Sequence, residues 1–299
     1  MSAPPGGIET FDALLPQGIR LACRAAGTAG PRVMLLHGFP EAAFVWDGVS
    51  QALSSVARAV APNLRGYAGS SAPTEPSAYR PRLLADDVAA LIEQMGAPID
   101  LLVAHDWGGA LAWNLAARQP ALFKQLLIIN APHPATFLRE LRDNPAQRAA
   151  SAYMNFLARP DAAALLAAND YARLWPFFTG MGGTGWLDDA LRDRYRQAWA
   201  HGLAGPAAWY QASPLRPPLA ASDAVMTLQL PDDTVTSRVP TTVLWGEGDT
   251  ALLPGLLDGL ERWVPRLRLL RVPGATHWML HEQPQRVLDE IRHILNLPG

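Results

Sequence analysis

"LLVAHDWGGALAW", residues 101–113, decides how the chain is read. Leu101 to Ala104 are a continuous apolar run with the length and character of a buried strand, and helix-compatible residues run from Gly108 to about Arg118. Strand therefore turns into helix at Asp106. A carboxylate at the end of an apolar strand is costly to desolvate unless donors meet it, and a helix N-terminus offers free backbone N–H groups. Asp106 is either a helix cap or a reacting group. Ala104 and Gly108 fit the pattern small-x-nucleophile-x-small, in which a tight turn exposes the central side chain.

Outward from this corner, "RVMLLHG" (32–38), "ARAVAPNL" (57–64), "IDLLVAHD" (99–106) and "QLLIINA" (125–131) read as strands alternating with helices. One such helix is plain in "YRPRLLADDVAALIEQMG", where Leu84, Val88, Leu91 and Ile92 recur at helical spacing and Gly96 marks the stop. The alternation predicts an α/β fold with a mostly parallel central sheet flanked by helices. From residue 132 to about 232 the pattern is helical with no long strand, which predicts a helical cap inserted after the sixth strand. Strand signals resume in "TTVLWGEGD" (241–249) and "RLRLLRVPGATHW" (266–278), before the amphipathic "QPQRVLDEIRHILNL". The expected organisation is a core in two parts, residues 1–131 and 233–299, around a helical cap at 132–232.

Two more candidates fall just after strand signals: Asp249 ends "VLWGEGD" and His277 follows "LLRVPGAT". The order nucleophile, acid, histidine is that of a nucleophile-elbow hydrolase. Taken singly, Asp106 reads as a helix cap and the other two as ordinary loop residues; three together at strand ends read as a reaction centre.

The bulk numbers narrow the chemistry. Lys and Arg total 25 against 27 Asp and Glu, a net charge of −2 with no basic stripe, so neither nucleic acid nor an anionic membrane surface is an expected partner. No basic-then-apolar leader opens the chain and no run of eighteen apolar residues follows, so a cytoplasmic protein without a membrane span is expected. The single cysteine, Cys23, sits in the strand-like "RLACRA" and reads as a buried apolar residue. His133, His201, His281 and His293 lack metal-ligand spacing and read as surface or packing residues; no metal or cofactor is expected. "HGFP" and "DWGG" lack the lysine of a phosphate loop. Trp46, Trp107, Trp175, Trp209, Trp245 and Trp278 are candidates for a pocket wall, with core packing as the competing reading.

"HGFPEAAFVW", "RGYAGS", "HDWGGALAW" and "NAPHP" together make the chain resemble the epoxide hydrolase and dehalogenase branch of the α/β-hydrolase fold family, over nearly its whole length. The resemblance implies an alkyl-enzyme ester on Asp106, hydrolysed by water that His277 and Asp249 activate. It also implies an oxyanion hole from the N–H groups of Phe39 and Trp107. Trp107, His37 and Pro40 are expected beside substrate, with His37 also holding its own loop, while His105 is expected to face away from the pocket.

The leaving group separates the two chemistries. "GPAAWYQA" resembles an epoxide hydrolase cap segment whose tyrosine, here Tyr210, hydrogen-bonds the ring oxygen; Tyr153, in "SAYMNFLARP", falls where a second such donor lies. A phenol stays protonated at neutral pH and can donate to a basic alkoxide, which a departing halide does not need. Haloalkane dehalogenases carry asparagine where Phe39 stands, and fluoroacetate dehalogenases carry arginine at Trp107 and a His-Trp pair at Tyr153 and Met154. The expected function is a cofactor-independent epoxide hydrolase acting on a lipophilic epoxide. A dehalogenase and a non-catalytic small-ligand-binding protein stay open as alternatives, as does a homodimer.

Overall fold

The apolar runs read from sequence form one eight-stranded sheet in the computed structural model, which describes residues 7–182 and 185–298. The opening residues 1–6, part of the stretch inspected for a leader, lie outside the described residues. The strands are β1 (Glu9–Leu14), β2 (Arg20–Ala26), β3 (Arg32–Leu36), β4 (Arg58–Pro62), β5 (Ile99–His105), β6 (Phe123–Ile129), β7 (Thr241–Gly246) and β8 (Leu267–Val272). They lie in the order β1-β2-β4-β3-β5-β6-β7-β8. β2 pairs antiparallel with β1 and β4, and every other pairing is parallel. β1 went unread in the sequence because its pattern is mostly exposed, with only Ala13 buried.

Strand periodicity puts alternate residues on opposite faces, each covered by helices. Leu102 and Ala104 of β5, with Leu126 and Ile128 of β6, pack on the side of α2 (Pro81–Gln94) and α3 (Asp106–Arg118). Leu101, Val103, Leu127 and Ile129 pack on the side of α1 (Asp47–Leu53) and the last helix. That last helix, Pro284–Leu295, buries Val287, Leu288, Ile291 and Ile294, each contributing about 1.5–3 kcal/mol of burial free energy.

Between β6 and β7 the described chain is helical. It runs through α4 (Pro134–Asp143), α5 (Pro145–Ala150), α6 (Tyr153–Leu157), α7 (Ala162–Tyr171), α8 (Trp175–Thr179), α9 (Asp189–Trp199), α10 (Ala204–Ala212), α11 (Ala224–Thr227) and α12 (Asp232–Val235). Side-chain caps start several of these helices: Asn144 accepts from the N–H groups of Ala146 and Gln147, and Asp188 from that of Leu191. Indole N–H groups of the segment fasten it to the core, Trp199 to Pro40 O at 2.7 Å and Trp209 to Arg65 O at 2.9 Å, and Trp278 of the core reaches back to Phe177 O at 3.2 Å. Beside the second contact the two backbones touch: a Cβ added at Gly205 would lie 2.4 Å from Gly66 Cα, and Gly66 has φ 89°. Among the described residues no helix is long and apolar enough to cross a membrane.

Candidate active site

Asp106 leaves β5 and opens α3 with φ 48°, a left-handed conformation that a non-glycine residue adopts at some cost. The turn is possible because its surroundings are bare of side chains. A Cβ at Gly108 would lie 2.6 Å from that of Leu36, and one at Gly109 would lie 2.2 Å from that of Ala131. The loop after β3 approaches the carboxylate from above, where the Phe39 N–H donates to Asp106 Oδ1 at 2.7 Å. That approach needs Gly38, since a Cβ there would sit 2.3 Å from Asp106 Cβ. Gly38→Ala is expected to lower kcat/KM by about 100-fold or more, and stability by about 1–3 kcal/mol, as paired activity and thermal-unfolding measurements would register.

His277 follows β8, with Nδ1 2.7 Å from Asp249 Oδ2 and Nε2 3.8 Å from Asp106 Oδ2. The second distance exceeds a hydrogen bond, so Nε2 is not tied to the Asp106 carboxylate and a small group can enter between them. Asp249 is fixed on both oxygens: Oδ1 accepts from the N–H groups of Ala251 and Leu252, and Oδ2 from Asn130 Nδ2 at 2.8 Å as well as from His277. Burial works against its charge, yet His277 and these donors hold its carboxyl below the usual range. Burial likewise disfavours the His277 cation, but the carboxylates of Asp249, Asp106 and Glu41 outweigh it and bring the imidazole up to about 9.

Asp106 opens onto a cavity of about 590 Å³ that runs along one face of α3 and is walled mainly by apolar and aromatic side chains. Tyr153 from α6 and Tyr210 from α10 both line it, their ring centroids 6.3 Å apart. The Tyr210 ring stands edge-on to Trp107 at 5.1 Å and to Phe39 at 5.2 Å. Burial first, then the Asp106 and Asp249 charges at Tyr153 and the Tyr153 phenol and Asp106 charge at Tyr210, push both hydroxyls well above the usual phenol value, so both keep their protons.

Two residues expected beside substrate lie elsewhere. His37 is fully buried beneath its loop, where Nε2 accepts from the Leu64 N–H and Nδ1 lies 2.9 Å from Gly38 O. The sharp loop leaves these backbone groups in need of partners, and the imidazole supplies them. Burial also lowers it to about 4, which keeps the ring neutral for that double role. Pro40 faces α9 and outside the cavity wall. Of the tryptophans considered for the wall, Trp107 and Trp209 line it, whereas Trp46, Trp245 and Trp278 are core residues and Trp175 packs on Trp199.

Sequence reasoning passed over Glu41. It is 1% exposed, with Oε2 2.9 Å from His105 Nδ1 and Oε1 2.9 Å from His281 Nε2. Despite the cost of burial, the two imidazoles hold its carboxyl well below the usual range. His105 in turn places Nε2 2.9 Å from the carbonyl oxygen of His277. The available signal was a carboxylate inside the apolar stretch "FPEAAFVW", which a buried partner has to explain. His281, read as a surface or packing residue, belongs to this buried cluster.

A fold-wide profile of the alpha/beta hydrolase fold matches residues 31–284. The chain is 34% identical to the AB hydrolase superfamily protein YfhM of Bacillus subtilis, over 92% of this chain and 96% of that one. It is 32% identical to epoxide hydrolase 3 of Xenopus tropicalis, over 93% and 75% of the respective lengths. Among solved structures, the epoxide hydrolase of Bacillus megaterium in complex with an inhibitor superposes with a TM-score of 0.86 at 27% identity, covering 96% of this chain and all of that one. The chain belongs to the α/β-hydrolase fold family. Within that family it is an enzyme of the epoxide-hydrolase-like group, and its eight-stranded, mostly parallel sheet is the fold expected from sequence.

Proposed function

We propose that the protein converts a lipophilic epoxide to a vicinal diol in two covalent steps, with the helical segment between β6 and β7 as the cap that holds the leaving-group donors. One observation carries this reading: a carboxylate held at the mouth of a strained turn shares an apolar cavity with two protonated phenols. A carboxylate is a nucleophile at neutral pH without help, and a phenol can donate to an alkoxide that water would otherwise have to solvate.

In the first step Asp106 Oδ2 attacks a ring carbon, the carbon–oxygen bond of the epoxide breaks, and Tyr153 and Tyr210 donate to the departing oxygen. Oδ1 stays on the Phe39 N–H. In the second step His277 Nε2 takes a proton from water, the water oxygen attacks the carboxyl carbon of Asp106, and the oxyanion forms against Phe39 and Trp107 N–H groups. On collapse the bond between the carboxyl carbon and Oδ2 breaks, His277 returns its proton to that departing oxygen, and the diol leaves carrying one original oxygen of Asp106. No step needs a metal or an organic cofactor.

That route has a direct isotopic test. With enzyme in excess over epoxide in heavy-oxygen water, the first turnover is expected to deliver unlabelled diol, and labelled carboxyl oxygen is expected in the peptide containing Asp106. Label in the first-turnover diol would mean direct attack by water and would end the ester reading.

The first step also prepares the base for the second. His277 is held up to about 9 partly by the Asp106 charge, and esterification removes that charge. The imidazole value therefore falls in the alkyl-enzyme, and the neutral form becomes available. Single-turnover ester hydrolysis is expected to accelerate as pH rises and to level off with a midpoint below about 9. A hydrolysis rate that falls across that range would contradict the assignment of His277 as base.

A further inference from the structure

Tyr195 lies on α9, fully buried, with its ring among Phe44, Phe178 and Trp199. A phenylalanine would satisfy that packing. The hydroxyl does something else: it lies 2.9 Å from His281 Nε2 and 3.5 Å from Glu41 Oε1. We propose that Tyr195 is a positioning residue for ester hydrolysis, acting from the cap through Glu41 and His105 on the backbone that carries His277. The inference rests on the two-step reading above.

Hydrogen counting along the chain of contacts supports it. The carbonyl of His277 can only accept, so His105 Nε2 bears a hydrogen. His105 Nδ1 and Glu41 Oε2 then share one further proton across their 2.9 Å contact. On its other oxygen this buried carboxylate depends on donors from two directions, His281 from the core and Tyr195 from the cap. The His281 ring stacks flat against Trp186, 4.2 Å away at 9°, and its Nε2 is already spent on Glu41, so it offers no second donor in place of a lost hydroxyl. A carboxylate short of a donor turns to find one, and here any turn draws His105 off the His277 carbonyl.

His277 acts only in the second step, which gives the inference a signature that loosened packing would not share. In Tyr195→Phe the single-turnover rate of ester hydrolysis is expected to fall about tenfold, with alkylation within about twofold of wild type. In steady state kcat and KM then fall together and kcat/KM holds, because kcat/KM reports alkylation alone. The amplitude of the alkylation burst counts intact sites, so a partly unfolded preparation is corrected for. His281→Phe, which keeps a ring on Trp186 and removes the same corner of the cluster, should reproduce the split.

Equal ester decay in Tyr195→Phe and wild type would overturn this inference alone, as would a kcat/KM that falls as far as kcat. Absence of any Asp106 adduct in His277→Gln, where the ester should persist, would overturn the two-step reading and this inference with it.

Discussion

His277→Gln is expected to leave an enzyme that alkylates itself once and stops. The variant keeps Asp106 on the Phe39 N–H and keeps both phenols in the cavity, so ring opening proceeds. It lacks the base proposed to deprotonate water beside the ester, and turnover is expected to fall by about 10³-fold or more. Mass spectrometry of the intact protein after exposure to an epoxide should show a gain equal to the whole epoxide. Trypsin should localise that gain to residues 83–118, between Arg82 and Arg118. An organohalide that left an adduct lighter by its halogen would favour the dehalogenase alternative. Loss of the adduct along with turnover would place His277 in the first step instead.

Removing both phenols is expected to have the second large effect. Tyr153→Phe and Tyr210→Phe each leave one donor for the opening ring, and each should slow alkylation by about 10-fold or somewhat more. The double variant loses the acid altogether, and alkylation is expected to fall by about 10²–10⁴-fold, the range for a positioned general acid. The two losses should not simply add, because the hydroxyls serve one oxygen. Single-turnover alkylation rates for the four proteins would test this, and a double variant within tenfold of wild type would remove the tyrosines from the chemistry.

What could be read from the chain in advance was what local pattern encodes. The strand runs ending at Asp106, Asp249 and His277 carry their own periodicity, and a parallel sheet brings the ends of β5, β7 and β8 to one edge. Tyr210 and Tyr153 were reached through resemblance of short cap segments, since no spacing on the chain relates them to Asp106. Glu41 had neither aid. Its partners lie 64 and 240 residues away, and the hydrogen bonds that make it tolerable exist only after folding. For His37 the sequence offered both a role in holding its loop and a place beside substrate; the structure has the first, with the ring turned under to accept from the Leu64 N–H.

The contact of Gly66 with Gly205 bears on how this enzyme can change. There the main chains of core and cap abut with no side chain between them, and α10, which carries Tyr210, begins at that point. A seat made of backbone cannot be shifted by small increments, because the first methyl group added on either side already collides. Drift toward new substrates is therefore channelled into residues such as Met154, Leu215 and Leu252, which resurface the wall while the acid stays where it is. The protein thus separates what substitution can reshape, the contour of the chamber, from what it can hardly move, the anchorage of the helix that carries Tyr210.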